Sequence, residues 1–131
     1  MRFTFQAHER LRRPADFIRA RRQGRRKQGR FLVIWLSRRD DEPARANRLG
    51  VVVGRKSGNA VKRNGFKRRV REIFRLNKHR WSRGWDLVVT PRRDMAKDEF
   101  PPSYQNLAAD FLELAKPLLK PAGTGPASSV E

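Results

Sequence analysis

The chain has 131 residues, with 32 Lys+Arg against 13 Asp+Glu, a net charge of +19 and no cysteine. That length fits one domain with a single small core, and the lack of cysteine excludes disulfides, thiolate metal sites and a cysteine nucleophile. The longest apolar run, Phe31 to Leu36, spans six residues against the ~18 of a membrane helix, and no signal-peptide pattern opens the chain, so the expectation is a cytoplasmic protein with no membrane partner.

Residues 1–8 are expected to be flexible. The first element is a helix over Pro14 to Gln23. Proline is tolerated at the first helical position, Asp16 falls where the macrodipole favours a carboxylate, and Gly24 stops the helix. Leu11, Ala15 and Ile18, at spacings of four and three, form its expected core face, with Phe17 and Arg21 on a different one. The run FLVIWL then alternates Leu32, Ile34 and Leu36 with Phe31, Val33 and Trp35. Both faces are apolar, which leaves two readings: a strand buried on both sides, or one whose Phe31, Val33 and Trp35 face lines a groove.

Ser37 to Asn47 reads as a hairpin loop, its Asp40-Asp41-Glu42 cluster as a solvated turn. Arg48 to Gly54 is a second strand. Leu49, Val51 and Val53 point one way, and Gly50, Val52 and Gly54 form a small-residue face with room for something to lie across it.

Asn59 to Lys78 is the strongest helix. Phe66, Val70, Ile73 and Phe74 make its core stripe, and Asn64, Arg68, Arg71 and Arg75 form a ladder of donors opposite. From Arg55 to Arg80 there are eleven Lys+Arg and one acid, Glu72. A solvated helix normally mixes signs, so this surplus points to a phosphate-facing surface. Trp85 to Thr90 is a third strand, entered through Gly84 and ended by Pro91. The last helix begins near Pro102 or Ser103 and places Tyr104, Leu107, Phe111, Leu114 and Leu118 on one side, until Pro117 distorts its end. It is acidic and amphipathic, a cover for the sheet. Residues 121–131 are Pro-, Gly- and Ser-rich and expected to be disordered, leaving 9–120 as the folded domain. The elements give a single-domain α+β two-layer sandwich.

Residues 94–131 hold six carboxylates against three lysines, so the positive field belongs to residues 1–93. Such a field attracts polyanions, of which nucleic acid is the commonest in cytoplasm. No catalytic set is present: His8 and His79 are far apart, and Gly50 to Ser57 resembles a phosphate loop but lacks the spacing and the Gly before its Lys. Catalytic residues, protein metal ligands and a small-molecule substrate are therefore not expected. Single-stranded RNA suits the inventory, with Phe17, Arg21, Phe31 and Trp35 for stacking on bases and Arg55, Lys56, Arg63 and the helical ladder for the backbone.

RLGVVVGRKSGNAVKRNGFKRRVREIF, Arg48 to Phe74, resembles the signature of the bacterial ribonuclease P protein component. The matching residues are Arg48 and Gly50, the pair Arg55-Lys56, Gly58-Asn59-Ala60-Val61, Arg63-Asn64, Lys67-Arg68 and Arg71-Glu72; Asp16-Phe17, Trp35 and the Trp85 to Pro91 strand extend the likeness over about 11–117. The resemblance implies the non-catalytic protein subunit of an endonuclease that removes the 5′ leader of precursor tRNA, with a catalytic RNA subunit performing Mg²⁺-dependent hydrolysis and the Mg²⁺ held mainly by that RNA and the substrate. It further implies a sheet of about four strands with three helices in the order α-β-β-β-α-β-α, an extra strand near Arg25 to Gln28, and a left-handed βαβ crossover. Carried over by position, the leader groove takes Phe17, Arg21, Trp35, Val52, Arg63 and Asn64; the strand face adds Phe31 and Val33, and the basic track adds Arg55 and Lys56. The RNA-subunit surface takes Lys62, Lys67, Arg68 and Arg71, and the charge of the same helix adds Arg69 and Arg75. Gly65 stands where the family usually has a third basic residue, Arg21 where an aromatic is frequent, and Val52 where a hydroxyl residue occurs. The competing class, a ribosomal or ribosome-assembly RNA-binding protein, matches the charge and size but not the Asn-Ala-Val-x-Arg-Asn block.

Overall fold

The computed structural model describes residues 5–40 and 43–120. The chain runs α1 (Pro14–Gln23), β1 (Arg25–Gln28), β2 (Leu32–Arg38), β3 (Arg48–Val51), α2 (Ala60–Asn77), β4 (Trp85–Pro91) and α3 (Tyr104–Leu114), with a one-turn 3-10 helix at Arg55–Ser57. The helix starts follow the local chemistry. Pro14 opens α1, the Asn59 side chain accepts the Lys62 N–H at 2.9 Å, and Ser103 Oγ accepts the Asn106 N–H at 3.1 Å.

The four strands lie in the order β1-β2-β4-β3. β2 is antiparallel to both β1 and β4, whereas β3 and β4 are parallel and joined through α2. On one face Leu32, Ile34, Leu36, Leu49, Leu87 and Val89 meet Phe66, Val70, Ile73 and Phe74 of α2 and Leu107, Phe111 and Leu114 of α3. Trp81 stacks on Phe111 within this core, the ring centroids 5.7 Å apart and the planes 2° from parallel. The other face is thinner: Leu11, Val33, Trp35 and Val88 are covered by Ala20 and Phe17 of α1. The sheet and its paired helices make the expected two layers, and α1 adds a partial third on the opposite side.

Two packing expectations are corrected. Ala15 and Ile18 do not face the core; Ile18 is 57% exposed, and the inward residues of α1 are Phe17 and Ala20. A helical period counted from Leu11 starts too early: residues 11–13 precede the helix, Arg13 with extended backbone, and Leu11 N donates to Leu49 O at 3.0 Å, which shifts the phase. Phe31, by strand alternation a companion of Val33 and Trp35, instead packs with the α2/α3 core. β2 begins one residue later, and Asp110 of α3 pins the preceding turn by accepting the N–H groups of Arg30, Phe31 and Leu32 at 2.8, 2.9 and 3.0 Å. The acidic last helix thus covers the sheet and also fixes the β1–β2 hairpin.

Of the segment 1–8 expected to be flexible, residues 5–8 are described, and Phe5 sets its ring edge-on to Phe74 at 5.5 Å. Glu9 is buried and accepts Lys78 Nζ at 2.6 and 2.7 Å, which ties the N-terminal segment to the end of α2. The tail 121–131, and Asp41 and Glu42 of the expected solvated turn, lie outside the described residues.

Candidate nucleic-acid interface

The sheet register places Arg26, Trp35, Val88 and Gly50 in one row across the α1 face. Phe17 lies over the β3 end of this row, and only glycine permits it: a Cβ at position 50 would stand 2.4 Å from Phe17 Cε1. The small-residue face of β3 therefore makes room for the protein's own helix. Over β2, the Arg21 guanidinium sits 4.6 Å from the Trp35 ring centroid, with Arg26 at 5.9 Å. Trp35 is only 9% exposed and Val33 5%, so burial on both sides is the reading that holds for these two residues. What reaches the surface is the cation stacked on the indole and the flank of Phe17.

The next row along the strands holds Gln28, Val33 and Thr90. Val52 joins it from beyond β3, donating its N–H to Val89 O at 2.9 Å and remaining 37% exposed. Phe17, Arg21 and Val52 thus border one cleft whose floor is Val33 and Trp35. Arg55 and Lys56 project from the exposed turn that follows β3, and Arg63 is held by donating to Gly58 O at 2.7 Å.

A second surface lies on α2, on the far side of the sheet. Asn64, placed with the groove by position, here lines an open hollow of about 410 Å³ with Arg68, Arg71, Glu72, Arg75, Phe5 and Arg10. Burial first and then the charge of Arg10 pull Arg71 below the ordinary arginine range. Lined by four arginines and one glutamate, the hollow concentrates positive charge that an incoming phosphate would offset. Arg75 is partly spoken for, since its Nε donates to Glu72 Oε1 at 3.0 Å and that bond holds the Glu72 carboxyl below its usual range. Lys62 and Arg68 are exposed and Lys67 half-buried along the same helix. Arg69, expected on the RNA-subunit surface, donates from Nη1 to Pro102 O at 2.7 Å and fastens the loop ahead of α3.

Gly65 sits on the Arg69 side, buried, and a methyl group added there would meet only Pro101 Cγ, at 3.8 Å. A basic residue there would point into the α3 loop rather than along the ladder, so its absence costs the α2 surface little. Gly65→Ala is expected to stabilise the fold by about 0.5–1 kcal/mol through helix propensity, read as a raised urea midpoint. An unchanged or lowered midpoint would show that Pro101 needs the gap.

Several participants carry no sequence signal. Phe5 and Arg10 join the α2 hollow only because Glu9 anchors the N-terminal segment on Lys78. Arg48, a signature residue, is an internal partner: its Nε and Nη2 bind the two oxygens of buried Asp86, each at 2.8 Å. Among the described residues no three His, Cys, Asp or Glu side chains gather as a metal site, and no helix is long and apolar enough to cross a membrane.

The ribonuclease P family model matches residues 5–116. The ribonuclease P protein component of Petrotoga mobilis is 36% identical over 116 residues, covering 88% of this chain and 95% of that protein. That of Thermotoga maritima is 39% identical over 95 residues, 72% of this chain and 79% of the relative. The solved Thermotoga maritima RNase P protein superposes with a TM-score of 0.72 at 36% identity over 86% of this chain and 99% of that one. The Staphylococcus aureus RNase P protein gives 0.70 at 30% identity over 86% and 98%. A four-stranded mixed sheet with three helices, matched over most of the length of these proteins in both sequence and shape, places the chain in the ribonuclease P protein component family.

Proposed function

We propose that the chain is the protein subunit of a cytoplasmic ribonuclease P, with its two cationic surfaces serving two RNAs. The observation that carries this reading is their placement: the cleft beside α1 and the hollow on α2 lie on opposite sides of one sheet. In this reading the 5′ leader of precursor tRNA lies along Phe17, Arg21 and Val52, with its bases against the Arg21 plane and its backbone near Arg55 and Lys56. The catalytic RNA subunit docks on Arg68, Arg71 and their neighbours. Hydrolysis belongs to that RNA, and the Mg²⁺ it calls for is held mainly by RNA and substrate phosphates.

The test reconstitutes purified protein with the RNA subunit and measures assembly, leader-dependent binding and cleavage over a salt series. Each lost phosphate contact lowers the slope of log K against log salt by about 0.7–0.9. Arg68→Ala is expected to weaken assembly and lower that slope by about this much, while the preference for leader-bearing over mature tRNA persists. Cleavage of precursor by the protein without RNA would overturn the reading.

A further inference from the structure

Helix α1 splits its face of the sheet into two clefts, and only one of them is the leader groove. On the other flank the cross-strand row is Ser37, Asp86 and Arg48. Asp16 and Arg19 of α1 reach this row, Arg19 Nη2 lying 3.4 Å from Asp86 Oδ2 and Arg48 Nη1 3.4 Å from Asp16 Oδ2. Asp16, Arg19 and Arg48, with Arg39, Asp40, Arg45 and Ala46 from the two ends of the β2–β3 loop, line a half-open hollow of about 620 Å³, a volume suited to a nucleotide-sized group. Among the described residues, six arginines line it with Asp16 and Asp40, and the buried Asp86 carboxylate lies behind Arg39 and Arg48.

The surplus is organised. Asp86 is 1% exposed and accepts Arg39 Nη1 and Arg48 Nε, each at 2.8 Å, while Arg39 Nη2 donates to Ala46 O at 2.8 Å. The wall of the hollow is thus a set of guanidinium groups locked in place before any ligand arrives. Arg13 and Arg38 line the same hollow outside that ion-pair network and are exposed, Arg38 with its guanidinium carbon 5.9 Å from the Trp85 ring centroid. Ion-paired cations at the back and exposed ones at the mouth, in a concave site, make a clamp for a phosphodiester. The Thr90 and Asp86 rows are four residues apart on β4, about 13 Å, which is the least span that a strand passing over α1 must cover to reach both clefts.

We propose that this second cleft binds a backbone phosphate of the same precursor strand whose leader occupies the groove, with Arg13 and Arg38 as its closing contacts; the proposal rests on the leader reading above. The experiment uses the holoenzyme with precursor tRNA bearing a long leader and with mature tRNA, across a salt series. For Arg13→Gln/Arg38→Gln, the salt slope for the long-leader precursor is expected to fall by about 1.4, while the slopes for mature tRNA and for assembly with the RNA subunit keep their values. Arg13→Lys/Arg38→Lys restores the precursor slope. An unchanged precursor slope overturns the proposal, and so does an equal fall for mature tRNA or a fall confined to assembly. Should the double variant melt early, Arg38→Gln alone is expected to lower the precursor slope by about 0.7, and the lack of that fall is equally decisive. Failure of the leader reading is separate: the unmodified holoenzyme would bind leader-bearing and mature tRNA alike.

Discussion

Asp86→Asn is expected to remove about 3–5 kcal/mol of folding stability, the cost of breaking a buried ion pair by deleting one partner. The carboxylate is 1% exposed and receives Arg39 and Arg48 at 2.8 Å, with Arg19 at 3.4 Å. Asparagine offers one acceptor and turns two donors toward guanidinium donors, so Arg39 and Arg48 lose the carboxylate they share, while Arg19 and Arg48 keep Asp16. A domain of this size has about 5–15 kcal/mol in total, which leaves the variant marginal at neutral pH.

The same group sets a pH dependence. Burial alone would raise the Asp86 pKa, but the hydrogen bonds from Arg48 and Arg39 more than offset it and hold the carboxyl below its ordinary value. A depressed carboxylate stabilises fully above its unfolded pKa, about 3.9, and that contribution is lost as pH falls through the lower folded value. The gap between wild type and Asp86→Asn in urea unfolding is therefore expected to be widest at pH 5–7 and to shrink below about pH 4. Equal urea midpoints for the two proteins at pH 7 would mean that the Asp86 network carries no stability.

What is legible in the sequence follows from what kind of signal each feature leaves. The α2 core stripe is periodic within one helix, and all four of its residues are fully buried. The other helices and strands are readable from local patterns, but RRKQ of β1 has no apolar alternation and is expected only from the family resemblance. The strand read over 48–54 ends at Val51, and Ser37 to Asn47 is no hairpin loop because β4 lies between β2 and β3. Asp86 is not: nothing in WDLVVT marks the Asp as the centre of a cluster, since its partners are 38 and 47 residues away in sequence. Arg69 reads as an RNA contact from its charge, and Arg48 as one more cation of a basic signature. Charge does not say whether a guanidinium faces phosphate or a buried carboxylate and carbonyl. The α1 face fails for a related reason, an apolar count that crosses from extended chain into helix. Phe31 fails because alternation holds only inside a strand, and Asp110 ends the turn just after it.

The burial of Trp35 changes how the groove is to be tested. Trp35→Ala empties a site walled by Leu11, Ala20 and Val88, at a cost of about 3–5 kcal/mol. It is expected to lower the thermal midpoint and to weaken RNA-subunit assembly and both tRNA substrates together. Arg21→Ala isolates the surface. The side chain is exposed and its guanidinium lies 4.6 Å above the indole, so its loss costs the fold only about 0.5–1 kcal/mol. It uncovers a hydrophobic ring and removes the plane on which a leader base would stack. Stacking contributes about 1–3 kcal/mol per base, so the preference for leader-bearing over mature tRNA is expected to fall by about 5- to 150-fold. Arg21→Lys, which keeps the charge but not the plane, should recover the salt slope and little of the preference. If Arg21→Lys restores the preference in full, the leader is held there by charge and not by stacking. If Arg21→Ala folds, assembles and discriminates like the unmodified protein, the leader does not lie beside α1, and the arginine over Trp35 only seals the core.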